Sequence, residues 1–139
     1  MHLLNDQSEK LFQALADHTR IRILRLFATI NEEACLCELV DSLLEPEYGL
    51  SRHIKILKNS GLLTARKEGR WVYHRLVTGV PHLEALGQTV KVLPDPNDIF
   101  KKDLANFKKR LCLRENGRCQ IGIQSEHFME KVKLRGARK

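Results

Sequence analysis

Pro46–Leu76, PEYGLSRHIKILKNSGLLTARKEGRWVYHRL, divides into a helix and a hairpin. Leu50, Ile54 and Leu57 recur at i, i+4 and i+7, the spacing of one buried helical stripe. Ser51, Arg52, Lys55 and Lys58 fall on the opposite face and offer a hydroxyl and cations to the outside. Asn59-Ser60-Gly61 stops the helix, with Gly61 suited to a left-handed cap. Leu62 to Arg66 and Trp71 to Val77 are rich in β-branched and apolar residues, and Lys67-Glu68-Gly69-Arg70 between them reads as a hairpin tip. A helix with a basic outer face, followed by a hairpin with a basic tip, is a groove reader with a wing beside it.

Charge is distributed to match. Residues 1–46 hold 4 Lys/Arg against 8 Asp/Glu, while residues 47–77 hold 7 against 2. A basic helix face is often only solvated, but cations concentrated in a helix-turn-wing segment favour DNA. Tyr48, Gly49, Ser51, Arg52 and Lys55 are therefore expected near bases or phosphates, and Lys67 and Arg70 on phosphate.

Working outward, Ser8 to Ala16 is expected as an amphipathic helix with Leu11, Phe12 and Leu15 on one side. Asp17 is suited to cap the next helix, His18 to Ala28, which turns Ile21, Ile23, Leu24, Leu26 and Phe27 inward. Its arginines Arg20, Arg22 and Arg25 are expected in solvent. Asn31 to Leu44 has Leu36, Leu39, Val40 and Leu43 at helical spacing and an acidic start suited to a helix N-terminus. Two helices joined by a short turn, then a hairpin, predict a mainly α winged helix-turn-helix with a small β wing. Val80 to Leu93 and a helix capped by Asn97 or Asp98 follow, the latter with Ile99, Phe100, Leu104, Phe107 and Leu111 in a stripe. That much apolar surface exceeds a small core, so these helices are expected to close a homodimer with the N-terminal helix, presenting two reading helices to successive grooves.

The chain of 139 residues, with a net charge of +7, is long enough for one modest core and fits a polyanion partner. Residues 1–112 are read as the DNA-binding and dimerisation domain and 113–139 as a basic, partly disordered extension. No run of 18 apolar residues occurs, and MHLLNDQSEK has no basic region leading into an apolar one, so a cytoplasmic protein with no membrane partner is expected. No phosphate loop, metalloprotease histidine pair or nucleophile triad is found, so no enzyme is expected.

In the cytosol four cysteines stay reduced, and Cys35-Leu36-Cys37 is the most informative pair. Thiols at i and i+2 point about 200° apart on a helix but the same way in extended chain. Chelation by both therefore predicts that the first turn of this helix opens, coupling an ion to the reading geometry. Two thiolates rarely complete a soft-ion site, and Cys112 and Cys119 are the remaining donors, from the same chain or across a dimer. Cys119 is preferred, because Asn116-Gly117 reads as a turn that lets it swing back while Cys112 is held on a helix. Arg110, Arg114 and Arg118 nearby lower thiol pKa values.

Cys35-Leu36-Cys37-Glu38-Leu39, Leu50-Ser51-Arg52-His53-Ile54, Gly61-Leu62-Leu63 and Gly69-Arg70-Trp71-Val72-Tyr73-His74-Arg75-Leu76 together resemble the ArsR/SmtB metalloregulators, over roughly residues 8–78. Within that family the likeness is to arsenical-resistance repressors. The resemblance implies a dimeric repressor on a palindromic operator, released when As(III) or Sb(III) binds thiolates. Cys35 and Cys37 match the first two cysteines of the family's motif; its third falls on Val40, which cannot ligate and directs attention to Cys112 and Cys119. The zinc-type sites of relatives are not evident, although His82 and Glu84 are present. Two competing readings stay open: a thiol redox or persulfide sensor without a metal, and a constitutive DNA-binding protein.

Overall fold

Asp17 has extended backbone, and its carboxylate accepts the Arg20 N–H at 3.1 Å, so a helix starts at His18 as the sequence demands. The structure, a computed structural model, describes residues 2–125. Its elements in chain order are α1 (His2–Leu15), α2 (His18–Thr29), β1 (Ala34–Cys35), α3 (Leu36–Leu43), α4 (Glu47–Asn59), β2 (Leu63–Glu68), β3 (Trp71–Leu76), α5 (Pro81–Lys91) and α6 (Ile99–Leu111). The strands form an antiparallel sheet in the order β1-β3-β2, with Ala34 opposite His74, Cys35 opposite Tyr73 and Glu68 opposite Trp71. This is the expected winged helix-turn-helix, with α3 and α4 as the pair and β2-β3 as the wing.

Leu50, Ile54 and Leu57 of α4 are all buried, so the phase read from the sequence holds. Gly61 takes φ +85°, its N–H bonds to Lys58 O, and Leu62 N–H bonds to Leu57 O. That double closure is a Schellman cap, which needs a residue without a Cβ penalty in the left-handed region.

Several expectations are corrected. Asn31 to Leu44 is not one helix: Ala34-Cys35 is recruited to the sheet by β3, and the helix begins only at Leu36. Phe12 points out of α1, 63% exposed, while Ala14 takes the buried place beside Leu11. Asp98 stands at the N-cap of α6 as expected, but its side chain makes no capping bond; the Asp95 carboxylate instead accepts the N–H groups of Phe100 and Lys101 at 3.1 and 3.0 Å.

None of the three α2 arginines is simply solvated. Arg22 is buried; its guanidinium grips Asp103 of α6 at 2.8 and 2.9 Å, Glu45 at 2.9 Å and Leu43 O at 2.7 Å. Arg20 donates to Ala14 O at 2.6 Å and lies 3.1 Å from His53 Nδ1 on α4. Arg25 donates to Leu93 O and stacks 4.3 Å over the Phe100 ring. Arg22 and Arg25 are covered because α5 and α6 pack against α2, and Arg20 because the end of α1 and α4 meet it, arrangements no local pattern encodes.

Leu104, Phe107 and Leu111 of α6 accordingly pack into the chain's own core. The apolar groups left outward include Phe12 on α1 and Val92 just past α5, both more than half exposed.

The extension expected from residue 113 is described as far as 125, and that part folds back over α3 as a strap. Asn116 and Gly117 take φ +54° and +74° between bridged Glu115 and Arg118, the two-residue turn anticipated there. The expected disorder of the last ten or so residues lies outside the described residues.

His74 on β3 is buried, and its Nδ1 has no partner. Burial, with a smaller repulsion from Lys58, pushes its imidazole down to about 4. A group that takes up protons more readily unfolded than folded makes stability fall with pH: the neutral ring is cost-free above about 6.5 and increasingly penalised below it. Stability should therefore drop by up to about 3 kcal/mol between pH 6.5 and 4. Urea unfolding midpoints across that window check this, and His74→Phe should flatten the slope; an unchanged slope contradicts it.

Candidate metal centre and nucleic-acid interface

Cys35 is the residue at which strand becomes helix. Its backbone is extended, φ −80° and ψ 159°, and its N–H donates to Glu38 Oε1 at 2.9 Å. Cys37 lies in the first turn of α3. With one cysteine extended and the next helical, both thiols face one side without distortion. The expected opening of the helix is therefore corrected: the chain is built in the geometry that opening was invoked to reach.

Cys119 completes the group. The sulfurs of Cys35, Cys37 and Cys119 lie within 4.8 Å of one another, all buried. Cys37 and Cys119 are in closest recorded contact, Sγ to Sγ 3.5 Å, and both sulfurs approach Ile121 O. Tyr73 of β3 fixes Cys119 by accepting its backbone N–H at 2.8 Å. Cys112 stands apart: it is exposed at the C-terminus of α6, its thiol donating to Lys108 O at 3.4 Å.

The strap that carries Cys119 is held by ion pairs. Arg114 donates to both oxygens of fully buried Glu38 at 2.6 and 2.7 Å and to Glu33 O at 2.6 Å. Arg110 donates to Asp41 at 2.6 Å and to the carbonyls of Ile121 and Gly122. Asp41 also accepts the N–H groups of Gln124 and Ser125 at 2.9 and 2.7 Å. Glu38 and Asp41, one turn apart on α3, thus meet Arg114 and Arg110 in antiparallel order. Arg118 on the strap turn reaches Glu68 at the wing tip, 3.3 Å away. Glu38, Asp41 and Tyr73 were missed in the sequence; the one available signal was the matched three- and four-residue spacing of the two charge pairs.

The sulfurs share protons unequally. Donation from the Cys35 thiol, opposed by burial and aided by Cys119 and the Arg110 charge, pulls Cys37 down to about 7. Donation to Cys37 and burial push Cys35 well above the ordinary thiol value. Burial, then donation to Cys37, raises Cys119 to about 11. Cys37 is thus the thiol of the cluster that ionises first, around neutral pH. Thiolates at roughly 2.3 Å from one soft ion sit under about 4 Å apart; Cys37 and Cys119 already meet that spacing, and the limit of 4.8 Å on the group leaves Cys35 at most a small closing movement. Among the described residues no further His, Cys, Asp or Glu joins the group.

A cleft of about 490 Å³ opens beside Cys35 and Cys37 and is also lined by Glu47 at the start of α4 and by Arg70, Trp71 and Val72 of the wing. On the outer face, Ser51, Arg52 and Lys55 are exposed, as are Lys67 and Arg70 on the wing. Tyr48 in the first turn of α4 is 75% exposed with the Arg52 guanidinium 5.8 Å over its ring, and Gly49 beside it is half-buried with open space above its Cα. Arg70 rests 4.7 Å over the Trp71 ring. None of these cations has a recorded carboxylate partner among the described residues.

Among the described residues no helix is long and apolar enough to cross a membrane. The profile of the family described as "Bacterial regulatory protein, arsR family" matches residues 17–65. An uncharacterised HTH-type transcriptional regulator of Methanocaldococcus jannaschii is 39% identical over 72 residues, covering 52% of this chain and 80% of that one. The arsenical resistance operon repressor of Escherichia coli is 42% identical over 72 residues, and the match spans 52% of this chain and 61% of that repressor. Among solved structures, the homodimeric winged helix-turn-helix DNA-binding domain of Mb0332 from Mycobacterium bovis, titled a possible ArsR-family regulator, superposes with a TM-score of 0.55. It is 29% identical, over 66% of this chain and 81% of that one. On its fold, its reading helix and these matches, the chain belongs to the arsR family of bacterial regulatory proteins, DNA-binding transcriptional regulators rather than enzymes.

Proposed function

We propose that the chain is a cytoplasmic, homodimeric repressor that holds double-stranded operator DNA and releases it when As(III) or Sb(III) is bound by Cys35, Cys37 and Cys119. The observation that carries this reading is the buried three-sulfur group of one chain. A trivalent ion with a lone pair is satisfied by three thiolates in a pyramid. A tetrahedral divalent ion asks for a fourth donor. The E. coli relative bears the name of an arsenical resistance repressor, and the Mycobacterium bovis domain is homodimeric. Here Phe12 and Val92, on α1 and past α5, are the apolar groups offered to a second copy.

In this reading the ion does not melt α3. It draws the strap, the first turn of α3 and the edge of β3 toward one centre. Glu47 and Trp71 border the same cleft, so the shift reaches both the start of the reading helix and the wing. Ser51, Arg52 and Lys55 read the major groove, Tyr48 and Gly49 meet its edge, and Lys67 and Arg70 hold phosphate.

The test is release of a fluorescent duplex, selected from a random-sequence pool by the reduced protein. Cys37→Ser should bind the duplex like the parent and no longer let go in arsenite, and Cys119→Ser should respond weakly. A Cys119→Ser variant that responds like the parent contradicts the strap ligand.

The proton count gives an independent prediction. Arsenous acid brings three hydroxides, and each thiol that ligates supplies a proton so that water leaves. Where Cys37 is already a thiolate, solvent must supply the third proton. Affinity for arsenite should thus be level below about pH 7 and fall roughly tenfold from pH 7.5 to 8.5, whereas a divalent cation that displaces thiol protons gains affinity as pH rises. Calorimetric titration at several pH values reads the sign directly.

Wing contacts are checked separately. Arg70→Ala should weaken binding to every duplex and lower the salt slope by about one unit. A loss confined to the selected sequence contradicts the phosphate assignment.

A further inference from the structure

We propose that the three-sulfur group is also a redox-modification site, at which a small hydroperoxide oxidises Cys37 and Cys119 to a reversible disulfide that removes the ion-binding thiols. The inference needs the sulfurs and not the ion, so it stands independently of the metalloid reading.

Geometry selects the pair. Cys37 and Cys119 sulfurs are already 3.5 Å apart and buried together. Bonding at about 2.05 Å asks for closure by roughly 1.5 Å. Cys119 can supply that movement, because residues 119–121 belong to neither helix nor strand, and its bond to the Tyr73 hydroxyl runs through the backbone N–H and leaves the side chain free to turn. Cys35 is a poorer partner. It is fixed in β1 against Tyr73, its N–H is held by Glu38, and a bridge to Cys37 would have to span the single residue Leu36. Cys112 lies outside the group.

Access selects the order of events. The cleft that opens beside α3 is lined by Cys35 and Cys37 and not by Cys119. Of the three cysteine residues, Cys37 is the most exposed, at 8% against 2% and 1%. The Cys37 thiolate attacks one peroxide oxygen, the O–O bond breaks, and the other oxygen leaves as hydroxide and takes a proton to become water. Cys37 is then a sulfenic acid. The Cys119 sulfur attacks the Cys37 sulfur, the S–S bond forms, and the hydroxyl departs as water with the proton of Cys119. Two thiols have given up two electrons, and one peroxide has become two waters. The strap is then bonded covalently to α3, and a three-thiolate ion site no longer exists.

The full reduced chain, with chelator present, is treated with equimolar hydrogen peroxide and followed by intact mass and non-reducing peptide mapping. The expected product has lost the mass of two hydrogens, links the peptides of Cys37 and Cys119, leaves Cys35 and Cys112 open to alkylation, and reverts in dithiothreitol. Cys112→Ser should behave identically, and Cys119→Ser should instead collect oxygen on Cys37. Arsenite loaded beforehand should slow the linkage at least about tenfold by occupying the thiolates. If the disulfide forms at the same rate with arsenite, the modification stands and the metalloid reading fails. Oxygen addition to parent Cys37 without a link, or links through Cys35, through Cys112 or between chains, would overturn the proposal.

Discussion

Glu38 is a carboxylate with no exposed surface, and a buried charge persists only beside its counter-charge. Arg114 supplies that charge through two hydrogen bonds, from a position 76 residues further along the chain. The same carboxylate accepts the N–H of Cys35 and so marks where strand gives way to helix. One side chain thus decides both the backbone of the cysteine pair and the course of the strap above it. Asp41 and Arg110 repeat the arrangement a turn later. Removing either arginine would strand a buried carboxylate, a change that costs about 3–5 kcal/mol in comparable pairs. With this clamp in place Cys119 reaches α3 through the fold of its own chain, and a second copy is not required to complete the group.

The clamp also explains why the site borders the DNA-facing elements. The sheet that ends at Cys35 is the wing sheet, with β3 shared between β1 and β2. Tyr73 on β3 holds Cys119, Trp71 two residues earlier lines the cleft, and Arg70 at the turn carries the basic tip. Arg118 ties the strap turn to Glu68 across from Trp71. On the proposed reading, a small change in sulfur spacing is passed to strap, wing and the start of α4 through these packed and hydrogen-bonded groups. In that reading this is the route from effector to operator, and it operates by displacement of formed elements.

Much of this was legible in the sequence where local chemistry decides. The stripe Leu50, Ile54 and Leu57, the Asp17 cap, Gly61 and the Asn116-Gly117 turn are all fixed by spacing or by backbone freedom, and each reads correctly from a few neighbouring residues. Where distant chain decides, reading failed. Ala34-Cys35 continues a helical pattern and has an acidic lead-in, yet pairing with β3 pulls it into the sheet. Arg22 looks like a surface residue until α6 brings Asp103 against it. Phe12 was given to the core because it neighbours Leu11, although Ala14 fits the crowded side better. The pairing of Glu38 with Arg114 had only a charge pattern to announce it, since its partners are strangers in sequence.

On the proposed function, one chain holds three thiolates, from Cys35, Cys37 and Cys119, in position for a single soft trivalent ion. Arsenic-edge X-ray absorption on the As(III)-loaded full chain counts those bonds directly. Three sulfur neighbours and no oxygen are expected in the parent and in Cys112→Ser, and two sulfurs with one oxygen in Cys119→Ser. Three sulfurs retained in Cys119→Ser, or two sulfurs and an oxygen in the parent, would contradict the proposed function.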